Sequence, residues 1–150
     1  MTIDKFHNLW VLGQRVKVVT VTQAYSLIDI IAPASVPGPP PHVHQDCSEL
    51  FYVLEGAVEV LVHEKRLLLN VGQSAVVPRR TLHTFHNPTN ADVRIISIFS
   101  PAGFEKFFLD MGVSADVPNA RAASVDGKII GRVVAEAARY RMEIPPPQDQ

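Results

Sequence analysis

The sequence predicts a mostly β protein, an antiparallel barrel or sandwich followed by helices. Short runs rich in β-branched residues recur through roughly the first two thirds of the chain. Glycine- and proline-containing turns separate these runs, and no helical pattern lies between them. After Ser100 the apolar residues change to helical spacing. Many short strands joined by turns without intervening helices are typical of antiparallel barrels and sandwiches.

The first predicted strands are two β-branched runs, at residues 15–22 and 25–31. Residues 1–13 show no clear period. Residues 33–41 contain five prolines and a glycine. Proline cannot donate a backbone hydrogen bond to a sheet, so we expect an ordered loop or extended arm there.

The strands that follow are separated by further turn signals. They are predicted at residues 49–55, 57–63, 67–69 and 75–77, around His83, and at 93–99. Strand 49–55 is apolar on both faces, so the face with Leu50, Tyr52 and Leu54 needs a cover of its own.

The C-terminal third predicts helices. Ser100 and Pro101 have the residue types of an N-cap and a first helical position. A stripe at helical spacing follows, formed by Phe104, Phe107, Phe108 and Met111. A second helical stripe lies within residues 129–140. We expect these helices to cover the outer barrel face that strand 49–55 leaves bare.

Composition bounds the class of protein. We predict one domain over residues 1–150, with a barrel at about 10–100 and a helical segment at about 101–142. A net charge of −1 argues against nucleic-acid or anionic-membrane capture. A single cysteine fits a reducing compartment. The N-terminus lacks the basic start and apolar run of a signal peptide, and no apolar stretch has membrane-spanning length, so we expect a cytoplasmic protein.

Three histidines and a glutamate form the candidate metal site: His42, His44, Glu49 and His83. Imidazole and carboxylate groups together suit divalent first-row transition metals. His42 and His44 are two residues apart, so an extended segment projects both rings to one face. Glu49 lies at odd spacing from them, so we expect a turn or bulge in residues 45–48 to correct the phase.

The surroundings of these residues resemble the paired motifs of the cupin superfamily. His42, His44, Glu49 and Gly56 match the first motif, in which four residues precede the glutamate and six follow it. The second motif is matched by Gly72, Pro78, His83 and Asn87, with fifteen residues between the two motifs.

Two positions depart from the family pattern. The opening glycine of the first motif is Val36 here, with Gly38 two residues along. A glycine three residues before His83 is Arg80 here, and a glycine at such a position often marks a positive φ that arginine adopts only at a cost. Neither departure touches a candidate ligand.

The resemblance implies a small jelly-roll-like antiparallel barrel in which His42, His44, Glu49 and His83 point inward to one divalent metal. Iron, manganese, nickel, zinc, cobalt and copper all remain open. An octahedral ion leaves two adjacent positions for water, oxygen or substrate, whereas a closed tetrahedral zinc site leaves none.

The superfamily includes enzymes of several classes, storage proteins and sensors, so fold and motif do not name a reaction. Our first hypothesis is a metal-dependent dioxygenase, related to small quercetinase-like cupins, acting on a small apolar, aromatic or enolisable substrate. The alternatives are a non-catalytic small-ligand binding or sensing protein and a metal-dependent isomerase or lyase.

Further residues are assigned to the pocket and the catalytic step. Phe51 and Val53 share the face of Glu49 and Phe85 shares that of His83, so all three are predicted to line an apolar cavity. Arg80 is predicted at its rim, where a guanidinium can hold an anionic group or remain solvated. Glu49 is the candidate general base.

The remaining predictions concern polar side chains near the motifs and the quaternary state. We expect Cys47 to behave as a small apolar residue, His86 to point away from the metal and Asn87 to hydrogen-bond within its own turn. The outward apolar residues of strand 49–55 and of residues 15–31 predict a homodimer.

Overall fold

The strands and helices of the protein are seen in a computed structural model that describes residues 8–147. The strands are β1 Asn8–Val11, β2 Gln14–Val21, β3 Ser26–Ala32, β4 Val43–His44, β5 Ser48–Glu55, β6 Ala57–Val62, β7 Lys65–Asn70, β8 Ser74–Val77, β9 His83–His86, β10 Val93–Ser100, β11 Val113–Ser114 and β12 Met142–Glu143. The helices are α1 Glu105–Met111, α2 Ala120–Ala123 and α3 Gly127–Glu136, and α3 runs into a 3₁₀ helix at Ala137–Tyr140.

Within the described part of the chain all strand pairs are antiparallel, and they form three sheets. The largest has the strand order β11-β1-β2-β3-β10-β5-β8, a second has the order β7-β6-β9, and β12 pairs with β4. The non-sequential order, with β10 between β3 and β5, is that of a jelly-roll-like barrel. The predicted mostly β fold with C-terminal helices is therefore confirmed.

The core of the barrel follows from the alternation of side chains along its central strands. In β10 the residues Val93, Ile95, Ser97 and Phe99 are buried, while those between them are half-buried. β3 alternates in the same way. A period of two places one apolar set inside the barrel, and here one buried serine interrupts it.

The proline-rich loop at residues 33–41 contains no strand, as predicted, and lies against β9. A Cβ on Gly38 would come within 1.8 Å of the carbonyl oxygen of Phe85, so a side chain cannot be accommodated there. The Thr84 hydroxyl donates a hydrogen bond to the Pro39 carbonyl at 2.5 Å. The loop therefore runs close to the strand that begins at His83.

The predicted start of the first C-terminal helix is wrong. Ser100 is the last residue of β10, where it pairs with Ser48, and α1 begins only at Glu105. The Ser100–Pro101 peptide bond is cis. Sheet pairing extends through Ser100, so this residue does not act as the N-cap that its residue type suggests.

The predicted cover of the outer sheet face is also wrong. α1 packs against β1 and β2, and its apolar stripe faces inward. Tyr52 on β5 remains 39% exposed. The open end of the barrel presents apolar side chains that also need burial, and the helix covers these.

Four short elements lack a clear sequence signal: β1, β11, β12 and α2. β1 lies in the stretch without a clear period and pairs with β2. β11 and β12 are two residues each and return the C-terminal segment to the barrel. None of the helices between residues 8 and 147 is long and apolar enough to cross a membrane.

Candidate metal centre and its cavity

The four candidate ligands converge because two backbone features bring their strands together. His42 and His83 form an antiparallel bridge in which each backbone N–H donates to the other's carbonyl at 3.0 Å. The chain then bends at Gln45 and Asp46 before β5 begins. The expected phase correction is thus present, and Glu49 lies on the same side as the histidines.

The cluster is compact and buried. Its members are His42, His44, Glu49 and His83, whose candidate ligand atoms all lie within 4.8 Å of one another. Each residue is 7% exposed or less. A buried arrangement of three imidazoles and one carboxylate has the donor types of a transition-metal site.

Backbone carbonyls fix the orientation of two of the rings. His42 Nδ1 lies 2.8 Å from the Pro40 carbonyl oxygen, and His83 Nδ1 lies 2.9 Å from that of Thr81. A carbonyl only accepts, so each ring donates through Nδ1–H and turns Nε2 toward the cluster. This second hydrogen bond is how proteins set the tautomer of a metal-binding histidine.

The Glu49 carboxylate is held at both oxygens. Oε2 lies 2.9 Å from His83 Nε2 and 3.6 Å from His44 Nε2. Oε1 accepts a hydrogen bond from the Ser97 hydroxyl at 2.9 Å. Ser97 is fully buried on β10 and was not singled out from the sequence. The available signal was a polar residue at an inward position of an otherwise apolar alternating strand.

His44 provides the test of whether the residues fit a metal. Within residues 8–147 neither of its ring nitrogens has a hydrogen-bond partner, although the residue is only 2% exposed. Burying a polar group without a partner is costly. A metal ion bound through one of these nitrogens would remove part of that cost, so the residues present fit a metal.

The pKa values of the cluster depart from their ordinary range for identifiable reasons. Burial, together with the neighbouring His44 and His83, lowers the pKa of His42 to about 3, so its ring is neutral near pH 7. Burial alone would raise the pKa of Glu49, but the adjacent His44 and His83 rings together outweigh burial and lower the pKa. Burial lowers the pKa of His83, but the hydrogen bond to Glu49 and the charge of that carboxylate together outweigh burial, so the pKa is raised.

A narrow apolar cavity of about 60 Å³ opens beside the cluster. His42, His44 and Glu49 contribute to one end of its wall. The rest of the wall is mainly apolar and comes from β1 to β3, the proline-rich loop, β9, β10 and the C-terminal segment. The phenylalanines of this wall are Phe85, Phe99, Phe104, Phe107 and Phe108.

The predicted pocket residues lie in different places. Phe85 lines the cavity. Phe51 and Val53 are fully buried in the barrel core, but neither is part of the cavity wall. Arg80 is exposed and outside the wall as well; its φ is 62°, the positive value that a glycine favours. The phenylalanine stripe of α1, which we expected to serve packing alone, supplies part of the wall.

Three other side chains have the surroundings that the sequence predicts. Cys47 is buried, and burial together with the nearby Glu49 raises the pKa of its thiol to about 12, which disfavours the reactive thiolate. The half-exposed His86 ring lies 3.6 Å from Glu59, away from the cluster. The Asn87 amide donates to Ala91 and its oxygen accepts from Thr89, both within its own turn as predicted, and the amide also donates to the carbonyl of Ala32 on β3.

Comparison with known proteins identifies similar domains. The family described as Cupin domain matches residues 30–99. A quercetin 2,3-dioxygenase of Aspergillus japonicus is 31% identical over 98 residues, which cover 61% of this chain and 28% of that protein. A quercetin 2,3-dioxygenase of Bacillus subtilis (strain 168) is 30% identical over 71 residues, or 47% of this chain and 21% of that protein. The chain thus matches less than a third of the length of either relative.

A solved structure supports the fold. An RmlC-like cupin from Shewanella frigidimarina NCIMB 400 superposes with a TM-score of 0.58 at 24% identity, covering 69% of this chain and 87% of that one. A likeness at this identity concerns the fold alone.

Proposed function

Since the chain belongs to the cupin superfamily, we propose that it binds a divalent transition metal and acts as a dioxygenase on a small apolar, aromatic or enolisable substrate. In this proposal the metal is held by His42, His44, Glu49 and His83. The carrying observation is the buried cluster with an unpartnered His44 at one end of an apolar cavity.

The chemistry of the donor set leaves the identity of the metal open. Iron, manganese, nickel, cobalt, copper and zinc all accept imidazole and carboxylate ligands. A metal in this position supplies Lewis acidity toward an enol or phenol oxygen and, if redox-active, reactivity with oxygen. The chain's own contribution is to hold the ligands and to keep water away by the apolar wall.

Glu49 has a second role in this proposal, as the general base. Its Oε1 accepts from Ser97 and its Oε2 faces His83, so the carboxylate is oriented by two partners. The lowered pKa keeps this carboxylate ionised near pH 7, and only the ionised form can accept a substrate hydroxyl proton.

The cavity supports a substrate that is largely uncharged. No lysine or arginine lines it among the described residues, so an anionic phosphate or carboxylate would lack a cationic partner in the wall. A space of about 60 Å³ suits a compact molecule better than a flavonol unless the wall moves. The likeness to quercetin dioxygenases makes flavonols the second class to test.

The direct test is to load the metal-free protein with each metal and to add β-diketones or flavonols without oxygen. We expect a shifted absorption spectrum in the complex and substrate consumption with oxygen uptake when air is admitted. The His83→Ala variant serves as the control. A spectral change without consumption supports a binding or sensing protein, and consumption without oxygen uptake supports an isomerase or lyase. If every metal form shows neither a spectral change nor substrate consumption, the proposal is contradicted.

A substitution at Glu49 separates metal binding from proton transfer. Glu49→Gln keeps an oxygen donor but removes the basic carboxylate, so we expect much of the metal to remain. Turnover should fall by at least about 100-fold. Metal content by elemental analysis and oxygen uptake, measured on the same sample, check this prediction. Unchanged turnover at full metal content would show that Glu49 is not the base.

We also propose that the protein forms a homodimer through the outer face of the large sheet. Leu27, Leu50, Val76 and Ile98 are neighbours across four strands, and Val76 is 61% exposed. An apolar row of this kind on a sheet face favours a partner. Light scattering should give twice the 16.5 kDa chain mass. Val76→Lys should lower the measured mass to that of the monomer, whereas Leu68→Lys on β7 should leave the dimer intact. A monomeric wild-type protein at micromolar concentration would contradict the proposal.

A further inference from the structure

Gln14 is a polar side chain at an inward position of the cavity wall. It is the first residue of β2, only 8% exposed, and lines the same cavity as His42 and Glu49. Outside the candidate metal cluster, every other described residue of the wall is apolar. The next inward positions on β2 are the buried Val16 and Val18. The strand pattern alone would therefore favour an apolar residue at position 14.

The backbone at this position is held firmly. Leu12 and Gly13 form a two-residue hairpin turn with φ values of 49° and 82°, and Gln14 pairs with Val11 directly after it. The Gly13 N–H donates to the hydroxyl of the fully buried Ser124 at 2.9 Å. The amide of Gln14 therefore projects from a fixed site.

No folding partner accounts for the Gln14 amide. The hydrogen bond next to it uses the Gly13 backbone and Ser124, and within residues 8–147 the Gln14 side chain makes none. Because Gln14 is the one polar residue of the wall outside the candidate metal cluster, a ligand in the cavity would come within reach of its amide.

We propose that Gln14 binds a second polar group of the ligand, at a distance from the group that approaches the metal cluster. An amide both donates and accepts, so it suits a hydroxyl or a carbonyl. The preferred ligand is then a compact molecule with an enolisable end for the metal, an apolar middle and an uncharged hydrogen-bonding group at the other end. This inference rests on the proposed function of the same site.

The test compares matched ligands on the metal-loaded protein. The probes are linear 2,4-diones of increasing chain length, each made with either a methyl or a hydroxyl group at the far end. At one length or more, the wild-type protein should bind the hydroxyl compound about three- to tenfold more tightly. In Gln14→Leu the two compounds should bind equally, with metal content unchanged. Gln14→Asn, whose amide is one methylene shorter, should keep the preference but transfer it to a longer probe.

Thermal unfolding of the metal-loaded protein without ligand distinguishes ligand binding from a structural role. Gln14→Leu should unfold at the same or a higher temperature, because it replaces a polar side chain by an apolar one in an otherwise apolar wall. A structural hydrogen bond would give the opposite result, so a lower unfolding temperature overturns the inference. Equal binding of both compounds by the wild type at every length, or the same preference in Gln14→Leu, also overturns it. If no dione binds the metal-loaded wild type, the proposed function fails and this inference fails with it.

Discussion

The metal cluster and the apolar wall that faces it are held in place by different kinds of interaction. The cluster depends on hydrogen bonds. The backbones of His42 and His83 bond to each other, backbone carbonyls accept from both rings, and Ser97 donates to the Glu49 carboxylate. The wall depends on side-chain packing and draws on both ends of the chain. The cluster therefore depends on a few hydrogen bonds, whereas the wall depends on packing between distant parts of the chain.

Aromatic rings also pack together where α1 meets the 3₁₀ helix. The rings of Phe104 and Phe107 stack with centroids 5.1 Å apart, and Phe107 meets Tyr140 edge-on at 5.6 Å. The two regions meet at His44. Its ring centroid lies 4.3 Å from that of Phe104, and its backbone pairs with Met142 of β12. Substitutions away from this contact should affect one region and spare the other.

The largest effect is expected from His83→Ala. This change removes one of four candidate ligands and the partner of Glu49 Oε2, so we expect metal affinity to fall by more than about 100-fold. The barrel should still fold, because its apolar core is unchanged. Elemental analysis and far-ultraviolet circular dichroism measure the two outcomes.

His86→Ala is the matched control for that experiment. His86 lies on the same strand but points away from the cluster, and its side chain is 38% exposed. Its replacement should leave metal content unchanged. Equal metal content in the His83 and His86 variants would remove His83 from the ligand set.

The second prediction perturbs the wall and spares the cluster. Phe107 is 5% exposed, and among the described contacts its ring meets none of the three histidines of the cluster. Phe107→Ala should lower the free energy of unfolding by about 3 kcal/mol, the lower range for a buried phenylalanine, because one side of its ring faces the cavity. Metal content should stay at the wild-type value. Urea unfolding and elemental analysis check both parts.

Leu109→Ala on the same helix is the control, because Leu109 is 40% exposed. It should change the free energy of unfolding by less than about 0.5 kcal/mol. If Phe107→Ala also empties the metal site, the two regions are coupled and the comparison drawn above is wrong.

The difference between the two regions also decides what the sequence could predict. The period of a strand places His42 and His44 on one face but would place Glu49 on the other. The convergence of these residues with His83 was therefore predicted from the resemblance to the paired cupin motifs. Position 80 was flagged by its residue type, and the positive φ there agrees with the glycine that the motif has.

The cavity wall could not be predicted in this way. Phe104 and Phe107 have helical spacing, which predicts that one face of the helix is buried. The spacing does not predict which residues pack against that face. Phe51 shares the face of Glu49, but depth along the strand separates it from the cavity. Met142 enters the wall only because β12 pairs with β4, and a two-residue strand carries too little sequence signal. These contacts are tertiary and depend on how the C-terminal segment crosses the open end of the barrel.

The smallest expected effect concerns Ser97, which tests whether the directional contacts matter to the cluster. Its hydroxyl donates to Glu49 Oε1 at 2.9 Å and is the described contact that orients this oxygen. Ser97→Ala keeps the buried volume nearly constant but frees the carboxylate to rotate. Side chains that orient metal ligands typically contribute 10- to 100-fold in affinity, so we expect a loss of about tenfold or more. Titration of the metal-free protein against a competing chelator measures it.

Ser26→Ala is the control for this prediction, because Ser26 is equally buried on the neighbouring β3. Within residues 8–147 its hydroxyl has no hydrogen-bond partner, and it pairs across the sheet with Phe99 rather than with a candidate ligand. This variant should bind metal as the wild type does. A loss of affinity shared by both variants would mean that buried hydroxyls act through general packing. A loss confined to Ser97→Ala assigns the effect to the hydrogen bond on Glu49, because that bond is the relevant difference between the two serines.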